Sequence, residues 1–232
     1  MTAPAAPELN PIGDLAVLFV MATEQEYGVH LRRRITPVIT GVGPVEAAVG
    51  TSMALGELDR AGRLPDLVVS LGTAGSARLD HAGLYQVASV AYRDMDCSPL
   101  GFEKGVTPFT GMPAVIPVPD RLPGIPTASI SSGGDIISGR AYDAIAADMV
   151  DMETYAVFRA AARLGIPVVG LRGISDGRAD LTGLHDWLAF LHVLDEKLAL
   201  AIDAMEGHVR AGRFRPGARG GEAPFADSGV SA

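Results

Sequence analysis

Short apolar runs alternate along this chain with segments of helical periodicity, and this alternation restricts the fold more than any other feature. Runs that predict buried strands occupy residues 15–21, 34–40, 67–71, 84–92, 127–131, 149–152 and 168–174. Helical patterns occupy residues 43–60, 154–164 and 184–207, the first with Pro44 in its opening turn. Alternating strands and helices favour a largely parallel sheet covered on both faces.

Residues 84–131 contain strand patterns without an intervening helix, so part of the sheet is expected to be antiparallel or to curl. With 232 residues, 48% of them hydrophobic, the chain can build one substantial core. We predict a single α/β domain over residues 14–210, with a central, mixed, twisted sheet flanked by helices on both faces. Residues 1–13 and 211–232 lack apolar periodicity and are predicted to be disordered.

Charge and composition argue against several classes of partner. The net charge is −8, and the one cationic cluster is Arg32–Arg33–Arg34, so a nucleic-acid surface is not expected. The single cysteine, Cys97, excludes an intrachain disulfide and fits a reduced, cytoplasmic setting. Residues 1–13 lack the features of a signal peptide, and residues 15–22 are too few to span a bilayer, so no membrane association is expected.

Polar residues follow four of the predicted strands. Glu26 comes after the first strand, Thr73 after the run at 67–71, Glu153 after the run at 149–152, and Asp176 after the run at 168–174. Ligands of open α/β sheets bind beyond the carboxyl ends of the strands. Each residue alone could be a helix cap, a first-turn acid or a turn residue. Because they occur together at four strand ends, these residues indicate a ligand-binding site at that edge of the sheet.

Several segments resemble one family in both content and order. They are residues 22–26, 41–43, 71–75, 92–102, 132–139, 150–153 and 172–176. The most specific are VDMET at 150–154 and RGISD at 172–176. The chain resembles the 5′-methylthioadenosine/S-adenosylhomocysteine nucleosidases and their phosphorylase relatives, so a nucleoside phosphorylase-like fold is expected.

The resemblance implies that Asp176 protonates N7 of a purine and that Glu26 activates the attacking water. Glu153 would accept hydrogen bonds from ribose hydroxyls. Further substrate-binding residues implied by the resemblance are Thr73, Gly75, Ile136, Ile137, Met152 and Ser175. The implied function is hydrolysis of the N-glycosidic bond of a purine nucleoside, releasing the free base and a ribose moiety.

The chemistry of this reaction agrees with the residue types. Cleavage builds positive charge on the ribose and negative charge on the departing base, so an acid at the base and a general base near the anomeric carbon both lower the barrier. A free aspartic acid ionises near pH ~4. Burial at a strand end would raise the pKa of Asp176 and keep its proton available.

The sequence disfavours three functions other than hydrolysis. A phosphorylase must bind phosphate, yet the segments ATEQE at 22–26 and SLGTAG at 70–75 contain no arginine. A non-catalytic nucleoside-binding protein would not need both Glu26 and Asp176. An NAD-type oxidoreductase is disfavoured because the motif that begins at Gly41 has Glu46 at its third glycine position.

Three further expectations concern metal or cofactor binding, the identity of the nucleoside and the oligomeric state. The five histidines show no metal-ligand spacing, so neither metal nor cofactor is expected. Ile136 stands where an aromatic residue often stacks on the purine, so the nucleoside remains open among methylthioadenosine-like, adenosylhomocysteine-like, adenosine and futalosine-type compounds. A homodimer is expected, with the apolar stripe from Trp187 to Leu194 as a candidate contact face.

Overall fold

The computed structural model describes residues 6–177, 179 and 182–220. The strands are β1 (Asn10–Ile12), β2 (Leu15–Met21), β3 (Val38–Ile39), β4 (Leu67–Ser76), β5 (Leu84–Tyr92), β6 (Val115–Pro117), β7 (Thr127–Ser132), β8 (Met149–Asp151) and β9 (Val168–Gly177). The helices are α1 (Val29–Arg32), α2 (Pro44–Arg60), α3 (Thr154–Ala162), α4 (Leu184–Leu188) and α5 (Leu191–Arg210). Short 3-10 turns cover Glu24–Glu26, Ser98–Leu100 and Gly139–Ala144.

All nine strands belong to one mixed sheet. Strand β4 is parallel to β2 and β9 and antiparallel to β8, while β5 is parallel to β7 and antiparallel to β9 and β6. Because β7 also pairs with β8, five strands close a ring in the order β4, β9, β5, β7, β8. The prediction of a mixed sheet that curls is confirmed.

The two faces of the sheet carry separate hydrophobic cores. Along β2, Leu18 and Val20 face a cluster that contains the buried side of α2 and α3. Val17 and Phe19, which alternate with them, face a second cluster built from α1 and α5. This period of two places helices on both faces of the sheet, as the apolar pattern predicted.

The helix predicted over residues 184–207 is two helices, because the chain breaks at Ala189 and Phe190 between α4 and α5. Trp187 on α4 donates a hydrogen bond to Thr73, whereas Leu194 on α5 is buried against Gly173 of β9. Two members of the stripe from Trp187 to Leu194 therefore contact their own chain. That this stripe offers a face to a second subunit stays a prediction.

The described parts of the two chain ends are ordered, which differs from the predicted disorder of residues 1–13 and 211–232. Residues 10–12 form β1, antiparallel to β2, and Asn10 exchanges two hydrogen bonds with Thr36. Near the other end, Phe214 is buried in the second core and Arg219 pairs with Asp66. These segments are short and polar and are held by backbone hydrogen bonds. They therefore have no apolar periodicity from which their order could be predicted. Residues 1–5 and 221–232 lie outside the described part of the chain.

Within that described part, none of the helices combines the length and the apolar character needed to cross a membrane.

Candidate active site

Glu26 is the last residue of the 3-10 turn that follows β2, and it is buried. Its Oε1 accepts hydrogen bonds from the backbone N–H of Thr73 at 2.7 Å and from the Thr73 hydroxyl at 2.8 Å. Burial raises the pKa of Glu26; the bonds from Thr73 and the charge of Arg172 oppose that rise. The result is a carboxylate fixed at the end of β4 with enhanced proton affinity.

Glu153 lies between β8 and α3 and reaches the turn that precedes α2. Its Oε1 accepts a hydrogen bond of 2.7 Å from the backbone N–H of Gly43, a residue with φ of +101° that favours glycine. Burial and the neighbouring Asp151 raise the pKa of Glu153 to about 7. Both Glu153 and Glu26 line one small cavity, together with Thr73 and Arg172.

Asp151 and Arg172 form a buried ion pair beneath this cavity, with Arg172 Nη2 3.0 Å from Asp151 Oδ2. Asp151 also accepts hydrogen bonds from Ser132 and Thr154, and Arg172 donates to both the hydroxyl and the carbonyl oxygen of Ser70. Buried charges persist when they are paired and hydrogen-bonded in this way. Asp151 therefore holds strands together rather than pointing into the cavity.

Asp176 lies near the end of β9 at a bulge. Ala74 pairs with Ile174 and Gly75 pairs with Asp176, so Ser175 is the extra residue. The Ser175 hydroxyl donates to Asp176 Oδ1 at 2.7 Å. Burial raises the pKa of Asp176; the Ser175 bond and His81 act in the opposite direction.

The anchors of Glu26 and Asp176 on β4 are Thr73 and Gly75, two residues apart on the same face. Strand geometry separates such positions by about 6.6 Å. The structure therefore brings these two carboxyl groups, both with raised pKa, to one end of one strand. Glu153 reaches the same region from β8, because Val150 pairs with Gly75.

The remaining residues predicted from the sequence lie at different distances from the cavity and from the three carboxyl groups. Ser175 and Gly75 adjoin Asp176, and Thr73 lines the cavity with Glu26. Met152 is half-buried next to Glu153 and does not line the cavity.

Ile136 is 74% exposed and Ile137 half-buried, in the loop that follows β7, and neither residue lines the cavity. This loop is tied to the end of β5. Arg93 donates to the carbonyl oxygens of Ser131 and Asp135, while Asp94 accepts from the N–H of Gly134.

Several residues of the site were missed by sequence reasoning. Trp187, assigned to packing, donates through Nε1 to the Thr73 hydroxyl at 3.0 Å. Tyr142, to which no role was given, lies beside Gly75 and Asp176. Arg172 could have been found, since a charged residue inside an apolar strand needs a buried partner. Nothing in the sequence pattern marks Trp187 or Tyr142.

No group of three or more His, Cys, Asp or Glu side chains placed to hold a metal ion occurs among residues 6–177, 179 and 182–220.

Comparison with known proteins gives consistent matches. The profile of the phosphorylase superfamily matches residues 137–205. A 5′-methylthioadenosine/S-adenosylhomocysteine nucleosidase of Actinobacillus succinogenes is 30% identical over 157 residues, which cover 59% of this chain and 65% of that protein. The corresponding protein of Halalkalibacterium halodurans is 28% identical over 192 residues, 73% of this chain and 80% of that protein. The first match thus spans just under two thirds of the relative's length.

Solved structures show the same fold. The futalosine hydrolase of Helicobacter pylori, in a mutant form, superposes with a TM-score of 0.67 at 18% identity, covering 83% of this chain and 98% of that one. A 5′-methylthioadenosine/S-adenosylhomocysteine nucleosidase of Colwellia psychrerythraea in complex with adenine gives a TM-score of 0.66 at 23% identity, covering 82% and 94%. The chain is therefore similar in sequence to the phosphorylase superfamily over residues 137–205, and it has the fold of these solved structures.

Proposed function

We propose that this protein is an N-ribosyl hydrolase that cleaves a purine nucleoside into the free base and a ribose moiety. One observation carries the proposal: the carboxyl groups of Glu26, which is buried, and of Asp176, which is half-buried, adjoin Thr73 and Gly75, two positions on the same end of β4. Both pKa values are raised by burial. The relatives of Actinobacillus succinogenes and Halalkalibacterium halodurans are nucleosidases, which supports the same reaction.

Asp176 is the general acid. Its raised pKa favours the protonated form, which delivers a proton to N7 of the purine while the electron pair of the C1′–N9 bond moves to the base. The Ser175 hydroxyl, 2.7 Å from Oδ1, orients the carboxyl group and stabilises the carboxylate that remains.

Glu26 is the general base. Its Oε1 is occupied by both hydrogen bonds from Thr73, and Oε2 has no partner among the residues that the structure describes. Oε2 is therefore available to take a proton from the water that attacks C1′. Burial strengthens this base because it raises the pKa of Glu26.

Glu153 holds the sugar. Its Oε1 is fixed by Gly43, and its carboxylate lies in the same cavity as Glu26, where it can accept hydrogen bonds from the ribose hydroxyls. Negative charge at this position also stabilises the positive charge that develops on the ribose. Thr73, Gly75, Met152, Ile136 and Ile137 are proposed to complete the contacts to sugar and base.

Hydrolysis is favoured over phosphorolysis by the state of Arg172. Among the described residues that line the cavity it is the one cation, and its guanidinium already donates to Asp151, Ser70, Leu171 and Thr154. No N–H group of Arg172 is left for a phosphate ion, which needs several charged or polar donors. Glu26 and Glu153 would in addition repel phosphate.

The substrate is proposed to be an adenosine-type nucleoside with a modified 5′ position or a futalosine-type nucleoside. The relatives named above are a futalosine hydrolase and nucleosidases for methylthioadenosine and adenosylhomocysteine. The loop with the exposed Ile136 lacks an aromatic side chain at positions 136 and 137 to stack on the base, so the choice among these compounds is a matter for assay.

The test is incubation with adenosine, methylthioadenosine, adenosylhomocysteine and futalosine, each with and without inorganic phosphate. We expect release of free base from at least one nucleoside, at a rate that phosphate does not change. Strict dependence on phosphate, with ribose 1-phosphate as product, would establish a phosphorylase instead. Tight binding without any base release would indicate a nucleoside-binding protein.

A homodimer is also proposed, through a different face from the stripe discussed above. On α2, Val45, Val49 and Met53 follow one another at a spacing of four residues and are all exposed, and Val42 adjoins them. A continuous apolar stripe of this kind on a monomer is unusual. A second copy of the chain with the same stripe covers it, and because Gly43 directly precedes α2, the contact borders the Glu153 carboxylate.

Sedimentation at micromolar concentration tests this interface. The parent and Leu200→Glu are expected to be dimers, and Met53→Glu a monomer. Leu200 is a matched control because it is an exposed leucine on α5, away from the α2 stripe. A monomeric parent, or a dimeric Met53→Glu, would contradict the proposal.

A cytoplasmic location is proposed from the single, unpaired Cys97.

A further inference from the structure

Tyr142 has a buried hydroxyl without a hydrogen-bond partner among the described residues. The side chain is 7% exposed and belongs to the 3-10 turn Gly139–Ala144. A phenylalanine would fill the same space without burying a polar group. A buried donor that lacks a partner is unfavourable in the resting protein, so this hydroxyl calls for a partner that appears during function.

The hydroxyl lies next to the proposed general acid. A methyl group placed on Gly75 would be 2.2 Å from Tyr142 Oη and 2.7 Å from Asp176 Oδ2, so both oxygens border the same side of Gly75. The other carboxylate oxygen, Oδ1, already accepts from Ser175. Tyr142 therefore lies on the side of Asp176 Oδ2, for which the described residues supply no donor.

The segment around Tyr142 is held from both ends. Arg78, directly after β4, donates to the carbonyl oxygens of residues 145, 146 and 147, and Ser76 donates to that of Asp148. On the preceding side, Arg93 holds the carbonyl oxygen of Asp135. These bonds fix the position of the hydroxyl before any ligand arrives, which is the requirement for electrostatic preorganisation.

We propose that Tyr142 is a positioning residue that acts through Asp176, its hydroxyl donating to Oδ2 of the carboxylate formed when Asp176 gives up its proton. This inference rests on the proposed function, in which the Asp176 proton moves to N7 as the C1′–N9 bond breaks. The hydrogen bond is worth most when Asp176 is ionised, so it stabilises the charge that develops in the transition state rather than bound substrate.

The charged surroundings are compatible with this role. Asp176 faces Ser175 on its own strand, His81 in the connection between β4 and β5, and Tyr142 across Gly75. Tyr142 faces Asp176 and Arg93. Burial, and then the charge of Asp176, raise the pKa of Tyr142, so its hydroxyl keeps its proton throughout the working range.

The variant Tyr142→Phe tests the proposal, with Tyr85→Phe as a matched control that removes a hydroxyl from a partly buried tyrosine on β5. We expect kcat of Tyr142→Phe to fall about 10- to 100-fold, as for loss of a hydrogen bond to a charged group. KM should change little. The alkaline limb of the kcat profile should move to higher pH, because losing a donor to the carboxylate raises the pKa of Asp176. Tyr85→Phe should match the parent.

A double-mutant cycle separates this role from a structural one. In an Asp176→Asn background, Tyr142→Phe should cause little further loss, because the charge that it stabilises no longer forms. Equal losses in both backgrounds would overturn the proposal. A higher KM with an unchanged alkaline limb would also overturn it, since it would place the hydroxyl on the substrate instead.

A measurement without turnover keeps the two proposals distinguishable. Carbon-13 NMR of aspartate-labelled protein follows the titration of the Asp176 carboxyl group, assigned by its absence in Asp176→Asn. We expect Tyr142→Phe to raise the pKa of Asp176 relative to the parent and to Tyr85→Phe. An unchanged pKa would overturn the role of Tyr142. A parent that cleaves no nucleoside would instead contradict the proposed function, and the titration would still decide whether the two groups are coupled.

Discussion

Glu26 and Thr73 are joined by two hydrogen bonds to one carboxylate oxygen, from the Thr73 backbone N–H at 2.7 Å and from its hydroxyl at 2.8 Å. The same hydroxyl accepts from Trp187 on α4 at 3.0 Å. Three separate parts of the chain, the turn after β2, strand β4 and helix α4, thus meet at one atom of Thr73. This arrangement fixes Glu26 Oε1, while Oε2 has no hydrogen-bond partner among the described residues.

Replacement of Glu26 by glutamine should nearly abolish turnover while preserving the fold. Glutamine can keep the hydrogen bond from the Thr73 N–H, but it cannot take a proton from water. Loss of a general base typically costs ~10²–10⁴-fold. Single-turnover release of base measures the effect. Glu24→Gln is the matched control, because Glu24 belongs to the same 3-10 turn and pairs with Arg32 on the surface. A Glu26→Gln rate above about a tenth of the parent's would remove Glu26 from the role of base.

Replacement of Asp176 by asparagine should impair only substrates whose leaving group needs a proton. Release of adenine-type base should fall ~10²–10⁴-fold. A 4-nitrophenyl riboside, whose leaving group departs as a stable anion, should be cleaved by Asp176→Asn at nearly the parental rate and hardly at all by Glu26→Gln. The comparison is made by measuring kcat of each variant on both substrates, with the exposed Asp143→Asn as control. Equal losses of Asp176→Asn on both substrates would contradict its assignment as the acid.

The apolar parts of the strands could be predicted because they depend on local pattern. Apolar runs gave β2 and β5 with their observed bounds, and helix α2 was expected from Pro44 to about Arg60, where it lies. Strands β4 and β9 extend beyond their apolar runs, to Ser76 and Gly177, because the polar residues at their ends still pair with neighbouring strands. Thr73, Gly75, Ser175 and Asp176 lie in these extensions, whereas Glu26 and Glu153 lie in the segments after β2 and β8.

The rest of the site depends on contacts between distant parts of the chain. Trp187 meets Thr73 across 114 positions, and Tyr142 reaches Gly75 from a turn without apolar period. The break at Ala189 and Phe190 carries no glycine or proline, so the helical pattern runs through it. Such contacts depend on where the closed ring of strands places the loops that connect them. Hydrophobic periodicity reports only local structure and does not predict these positions.

The stability of the ligand-free protein should decrease as the pH rises from about 4.5 to 7. Burial and Asp151 raise the pKa of Glu153 from 4.5 to about 7, so in this window the folded protein binds more protons than the unfolded chain. Glu26 and Asp176, with raised pKa values, act in the same direction. Urea denaturation across this range measures the trend. Glu153→Gln should flatten it, and an unchanged slope in that variant would show that Glu153 is not its source.

Replacement of Gly75 by alanine should impair both activity and stability. The added methyl group would lie 2.2 Å from Tyr142 Oη and 2.7 Å from Asp176 Oδ2, closer than any carbon–oxygen contact allows. Tyr142 cannot easily withdraw, because Arg78 fixes the segment that follows it. The cost of such overpacking is about 1–3 kcal/mol, and displacement of Asp176 should lower kcat as well.

Gly207→Ala is the matched control for this substitution. Gly207 lies in the last two turns of α5, and apart from its chain neighbours and the helix's own backbone no described atom lies within 4 Å of an added methyl group, so alanine there should stabilise the protein by ~0.5–1 kcal/mol. Thermal unfolding of both variants beside the parent, together with kcat, measures the contrast. If Gly75→Ala unfolds at the parental temperature and keeps the parental kcat, the close approach of Tyr142 and Asp176 at Gly75 does not constrain the site. The proposal that Tyr142 and Asp176 act together beside Gly75 on β4 would then be wrong.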